Sequence, residues 1–316
     1  AYAVPYGDLY VQPSAPSQGG SYVPSVESSN ERYWDKRIRA YAQLTHPIDE
    51  YRSVFGRWSG TSRQPLEALT DGAYRPFLPT RGFISSVGGG WRYARGRSYD
   101  TSISPEQGRI LSLVGDLSAP WIGAFVLDDQ DQWVGFTQLQ ITAEWREYRT
   151  VPWAANHVLA TKLAGGFSTG DENRYGSYRL GGSFGESAYY TLPDEWRALR
   201  GFPTAVVYGD NYYLGSAEYR LPLLYVDRGL GVLPFFARGL SGAAFVDAGN
   251  AFTDFTSPET LAGLRVGSGA ELSASAVLGW GIPVTLRLGY AFAVLGDGGY
   301  APGSLGGAYA WLGSSY

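Results

Sequence analysis

From Arg32 onward, apolar and polar positions alternate with period two in segment after segment. In "YWDKRIRAYAQLT", Trp34, Ile38, Ala40, Ala42 and Leu44 alternate with Asp35, Arg37, Arg39, Gln43 and Thr45. In "TQLQITAEWREY", Leu139, Ile141, Ala143 and Trp145 oppose Gln138, Gln140, Thr142, Glu144 and Arg146. "GLRVGSGAELSASA" sets Leu264, Val266, Ala270, Leu272 and Ala274 against Arg265, Gly267, Gly269, Glu271 and Ser273. "GIPVTLRLGYAF" sets Ile282, Val284, Leu286, Leu288, Tyr290 and Phe292 against Thr285, Arg287 and Gly289. Successive side chains of a strand point to opposite faces, so alternation over about ten residues predicts strands with a different solvent on each face. About twelve strands are predicted, over 32–45, 49–59, 82–94, 108–118, 135–148, 156–166, 176–182, 212–221, 235–248, 263–276, 282–292 and 307–316.

Two solutions satisfy such alternation. A soluble antiparallel sandwich places polar residues outside, whereas a membrane barrel places apolar residues outside and polar ones in its lumen. Aromatics near strand ends (Trp34, Trp145, Tyr290) and charges in mid-strand favour the barrel. Composition points the same way. Charged residues are 17 % and aromatics 15 %, with 24 Tyr, 10 Trp and 43 Gly in 316 residues. That mixture suits short turns and an aromatic girdle. No apolar run is long enough for a membrane helix, so a membrane protein here has to be a closed barrel. The Pro/Ser/Gly-rich residues 1–31 read as a leader or linker with room for one short strand, and 32–316 as the barrel.

Candidate chemistry removes more than it adds. A net charge of −4 gives no footprint for nucleic acid. Without Cys there is neither a disulfide nor a thiolate metal site. Met is also absent, so the chain is expected to be a processed product or part of a longer one. His46 and His157 lie in no metal-binding spacing. "GFSTG" (166–170) has the nucleophile-elbow pattern but is followed by a turn and a strand rather than a helix. "GGSFGE" (181–186) lacks the helix and acidic partner of a dinucleotide site. No metal, no cofactor and no enzymatic activity are expected.

"RYGSYRLGG" (174–182), "ALRGFP" (198–203), "LGSAEYRLPL" (214–223), "GAAFVDAGNAF" (242–252) and "GLRVGSGAEL" (263–272) occur in that order. Together they resemble the C-terminal barrel of the outer-membrane protein assembly-factor superfamily, the bacterial surface antigen family of BamA, TamA and the two-partner secretion transporters. Residues 32–173 are similar only in general, through "SISPEQGR" (102–109) and "NHVLATKLAGGFSTG" (156–170). These look like superfamily barrels fused behind a propeller or peptidase domain. The chain ends on "GAYAWLGSSY", which looks like the C-terminal β-signal of outer-membrane proteins, carried by Gly307, Tyr309, Trp311, Leu312 and Tyr316.

The resemblance implies sixteen strands, a bacterial outer-membrane location with membrane lipid as surroundings, and a role in insertion or translocation of other proteins. Client outer-membrane proteins or complex subunits are the implied partners. POTRA domains usually precede such barrels, and residues 1–31 cannot hold one. Two other roles are therefore carried forward: a barrel that anchors a fused or partner soluble domain, and a passive pore in which Arg37, Arg39, Arg146, Arg265 and Arg287 would set selectivity. The resemblance also implies that loop 183–211 folds into the lumen as a plug. There Arg200 of its Arg200-Gly201-Phe202 motif would meet Glu218 and Asp247 on the inner wall.

Overall fold

The structure is a computed structural model. It describes residues 2–11, 27–65, 73–74, 81–99, 102–127, 132–169, 178–183, 196–204, 206–229, 231–253, 255, 259–279 and 281–313. Within these the chain forms β1 (Tyr2–Val11), β2 (Glu27–Pro47), β3 (Arg52–Pro65), β4 (Ala73–Tyr74), β5 (Gly82–Arg97) and β6 (Gln107–Ser118). There follow β7 (Phe125–Leu127), β8 (Trp133–Gly135), β9 (Gln138–Thr150), β10 (Val158–Ser168), β11 (Tyr178–Leu180), β12 (Trp196–Arg197) and β13 (Val207–Gly209). The last five strands are β14 (Asn211–Gly229), β15 (Phe235–Phe252), β16 (Arg265–Leu278), β17 (Ile282–Leu295) and β18 (Ala308–Gly313), with one helical turn, α1 (Glu259–Ala262), before β16.

Twelve of these strands build one antiparallel wall in the order β1-β2-β3-β5-β6-β9-β10-β14-β15-β16-β17-β18, and the short β4 pairs with the free side of β1. Wall neighbours in space are neighbours in sequence once short excursions are set aside. Most wall strands exceed the roughly 9–11 residues that cross a bilayer at a tilt, such as β16 with 14 and β14 with 19. Among the described residues no ladder joins β18 to β1, so the sheet has two ends. Among the described residues no helix is long and apolar enough to cross a membrane.

Alternation sorts the two faces as the sequence pattern predicts. Leu113, Ile141, Trp145, Leu163, Leu272, Leu286 and Leu288 stand exposed on the outer face. Asp116, Glu144, Lys162, Glu218, Asp247 and Glu271 face inward, where ion pairs join them across the wall. Arg57 of β3 donates through Nε and Nη2 to Asp116 of β6 (2.9 and 2.5 Å), spanning the intervening β5. That reach needs Gly88 beneath it, since a Cβ there would collide with the Asp116 carboxylate.

The buried apolar cluster lies between the wall and an insertion that enters after β10. In the insertion β11, β12 and β13 form a separate three-stranded sheet. Tyr178, Leu180, Leu199 and Phe202 from it pack on Ala164, Tyr212, Leu214 and Ala251 of the wall.

Several expected boundaries move. Of the stretch 176–182 expected as a wall strand, residues 176–177 lie outside the described residues, and Tyr178–Leu180 belongs to the inserted sheet with all three residues buried. It packs on both sides, so it has no polar face to contribute to an alternating wall. Residues 2–11 and 27–31, expected as a leader or linker with room for one short strand, pair as β1 and the start of β2. Register shifts flank Asp8, just after the Pro5–Gly7 stretch. The strand placed at 49–59 starts at Arg52, because Asp49 takes the backbone N–H groups of Tyr51 and Arg52 in a tight turn. The wall thus reaches twelve strands by losing one expected segment and gaining β1, against the sixteen the resemblance implies.

The connections sort by end. At one end lie the short links 48–51, 98–106, 151–157, 230–234 and 279–281, and at the other the long ones 66–81, 119–137, 169–210, 253–264 and 296–307.

Candidate functional site

The alternation of β14, β15 and β16 turns Ser216 and Glu218, Phe245 and Asp247, and Gly267, Gly269 and Glu271 onto the inner face. The register brings Ser216 opposite Asp247, and Asp247 opposite Gly267. Into this patch the insertion delivers Arg200 from a turn between Leu199 and Phe202. Gly201 has φ +93°, a left-handed conformation that glycine adopts without strain. Its carbonyl accepts from Tyr300 N–H (2.9 Å), and the Phe202 carbonyl accepts from Gly182 N–H (3.0 Å). Phe202, 1 % exposed, fills the cluster under the turn. The turn can lie flat on the wall only because residue 267 is glycine, since a Cβ there would collide with the Arg200 carbonyl oxygen.

The Arg200 guanidinium is spent on the wall. Nε and Nη2 donate to Oδ2 and Oδ1 of Asp247 at 2.6 and 2.7 Å, the two-pronged geometry that matches a carboxylate. The Arg200 backbone N–H also donates to Asp247 Oδ2 (3.2 Å). Nη2 lies 2.8 Å from Glu218 Oε1 and 3.2 Å from Ser216 Oγ, and Nη1 lies 3.1 Å from Glu271 Oε1. The plane stacks on Phe245, 3.5 Å from its ring centroid. Arg200 and Asp247 are 7 % and 2 % exposed. Burial opposes the charge on Arg200, but the hydrogen bonds and charge of Asp247, with the charges of Glu218 and Glu271, outweigh it and raise its pKa further above the ordinary arginine value.

Each carboxylate is held again from behind. Ser216 Oγ donates to Asp247 Oδ1 (2.6 Å), Arg220 donates through Nε and Nη2 to Glu218 Oε2 (2.9 and 2.6 Å), and Tyr309 OH donates to Glu271 Oε1 (2.6 Å). Tyr309 sits on β18, two strands from Glu271. Tyr309, Gly289 and Glu271 share one row of the register. The tyrosine ring passes over Gly289, where a Cβ would run into it. One loop arginine is thereby connected to β14, β15, β16 and, through Glu271, to the terminal strand β18.

Glu218 and Asp247 stand against Arg200. Glu271 and Tyr309 were not assigned to that contact. Glu271 was read on the polar face, and the two inward glycines preceding it, Gly267 and Gly269, mark a stretch of wall made low enough for a loop to lie on. Of the terminal-strand set, Gly307 is buried beside β17, Trp311 turns inward with Arg287 over its ring (5.4 Å), Leu312 is exposed outward, and Tyr316 lies outside the described residues. Arg146 pairs with Glu144 (2.5 Å) and Arg265 Nη1 with the Gly263 carbonyl (3.0 Å). His157 hydrogen-bonds Tyr219 OH (2.7 Å) at a turn. Among the described residues no group of three His, Asp or Glu is placed to hold a metal ion.

No protein-family model and no curated protein matches the sequence. Solved structures do match the fold. BamA of Haemophilus ducreyi, crystallised without POTRA domains 1–3, is 16 % identical with a TM-score of 0.55, over 85 % of this chain and 53 % of that one. CdiB of Escherichia coli is 15 % identical with a TM-score of 0.52, over 90 % of this chain and 46 % of that one. The fold is therefore that of a transmembrane antiparallel β-barrel, similar to these two bacterial outer-membrane proteins. The chain spans about half the length of each.

Proposed function

We propose that the chain is an outer-membrane barrel of the BamA/TamA-like superfamily that takes part in inserting or translocating other proteins. Its long connections face the outside of the cell and its short turns the periplasm, the usual arrangement of such barrels. The observation that carries the reading is the Arg200 contact. The loop arginine reaches three wall strands directly and the terminal strand through Glu271 and Tyr309, so the insertion and β18 are tied into one network. In this reading Arg200, Gly201, Phe202, Glu218, Asp247 and Glu271 form a latch that holds the described part of the insertion inside the lumen, while 184–195 of the expected plug 183–211 lie outside the described residues. The latch also sets how firmly β18 is held. β18 has six registered pairs with β17 among the described residues, against thirteen between β16 and β17. Among the described residues β18 is the less heavily paired of these two neighbours of β17, and it is the edge at which an incoming strand could add.

The test is reconstitution of the full chain into lipid vesicles, followed by the folding rate of an unfolded outer-membrane barrel added from solution. The reading expects faster client folding than in empty vesicles, and a changed rate for Arg200→Ala. Equal rates with and without the chain would refute the assembly role and leave an anchor or a pore.

A further inference from the structure

On the outer face at the short-turn end, the surface of β5, β6 and β9 changes character within a few residues. Exposed Leu113 and Ile141 give way to Tyr93 and Trp145, and these to Arg95, Arg97, Arg109 and Arg149. Apolar, then aromatic, then charged is the profile of a strand leaving hydrocarbon through the headgroup layer. Arg95, Arg97 and Arg109 line, with Tyr93, Gln107 and Glu147, a cavity of about 470 Å³ between the ends of β5, β6 and β9, and Arg149 is tied to it through Glu147. Gly96 and Gly108 form part of its lining, and nothing stands within 4 Å of where a Gly96 Cβ would be.

The charge there is unbalanced. Glu147 serves both Arg109 (3.0 Å) and Arg149 (2.8 Å), so one carboxylate answers two guanidinium groups. Arg95 lies over the Tyr51 ring at 5.3 Å, and neither it nor Arg97 has a carboxylate at ion-pair distance among the described residues. Exposed guanidinium groups beside aromatic rings at headgroup depth match one chemistry: a phosphodiester whose acyl chains run down the adjoining apolar wall.

We infer that this cavity is a binding site for the phosphate headgroup of an anionic phospholipid. The inference rests on the membrane-barrel reading, and it places the lipid in the leaflet at the short-turn end. Lipid held there would fix the depth of β5, β6 and β9 in the bilayer, on the opposite side of the wall from the Arg200 patch.

The experiment refolds the full chain and the Arg95→Gln/Arg97→Gln variant into vesicles of phosphatidylcholine alone and of phosphatidylcholine with phosphatidylglycerol. Insertion is scored separately, by heat-modifiable migration on a gel. The proteins are then extracted in mild detergent and retained lipid is weighed by native mass spectrometry. Wild type should retain phosphatidylglycerol in preference to phosphatidylcholine. The variant should insert but lose that preference by about fivefold per arginine, the scale of one basic residue at an anionic surface. Arg287→Gln, which removes a charge on the lumen side, should keep it. Equal retention of both lipids by inserted wild type would overturn the site. Displacement of the lipid by inorganic phosphate would make it a soluble-anion site and overturn the lipid assignment. Failure of wild type to insert into either vesicle would refute the membrane-barrel reading itself.

Discussion

Replacing Arg200 with Ala removes both prongs from Asp247 and leaves that carboxylate with the Ser216 hydroxyl and one backbone N–H, still inside the wall. Removing one partner of a buried ion pair destabilises by about 3–5 kcal/mol, because the remaining charge stays desolvated. Here the lower end applies. Glu218 keeps Arg220, Glu271 keeps Tyr309, and a lumen admits water once the turn lifts. The expected loss is about 3 kcal/mol, which at a slope of about 1–3 kcal/mol/M moves a urea midpoint down by roughly 1–3 M. The assay is equilibrium unfolding of the vesicle-inserted chain, followed by tryptophan fluorescence, for Arg200→Ala, Asp247→Ala and the double variant. Groups in one network are non-additive, so the double variant should recover about 1–3 kcal/mol relative to the sum of the singles. Arg200→Lys keeps the charge but loses the planar fork and should fall between wild type and Ala. An unchanged midpoint for Arg200→Ala, or single effects that add within about 0.5 kcal/mol, would refute the latch.

Other outcomes follow from the same geometry. Tyr309→Phe removes one charge-assisted hydrogen bond to Glu271 and should lower stability by about 1.5–3 kcal/mol, with proteolysis beginning in β18. Gly289→Ala, which forces the Tyr309 ring off the wall, should expose the same segment to protease even though the tyrosine is still present. Gly267→Ala should lift the Arg200 turn and reproduce the protease sensitivity of Arg200→Ala while leaving every charge in place. Asp116→Asn should weaken the Arg57 strap across β5 by about 1–3 kcal/mol without altering protection of the insertion, since it touches none of the Arg200 network.

The wall was legible in the sequence because each of its strands meets two different environments, and period-two alternation is the direct trace of that. Leu139 to Arg146 and Arg265 to Ser273 fall on the faces the pattern assigns, and Leu264 lies just before β16. The insertion was harder to read for the converse reason. Tyr178–Leu180 is buried on all sides, so its residues carry no alternation to separate an inserted strand from a wall strand. β1 and the start of β2 were obscured by the Pro/Ser/Gly-rich composition of residues 1–31, which reads as linker with room for one short strand, although β1 absorbs Pro5 and Gly7 at its register shifts. Arg200, Glu218 and Asp247 came from a resemblance, not from periodicity. Glu271 and Tyr309 could not come from local pattern, because their contact depends on a loop 71 residues distant in sequence and on a ring crossing Gly289.

The most direct test of the account is hydrogen–deuterium exchange of the vesicle-inserted chain, read at the amides of Arg200 and Tyr300. The first donates to Asp247 of the wall and the second to Gly201 of the turn, so both bonds exist only when the turn is docked. The account expects both to exchange slowly in wild type and fast in Arg200→Ala, while amides of β15 and β16 stay slow in both. Fast exchange of the two in wild type, beside a protected wall, would contradict the docked latch.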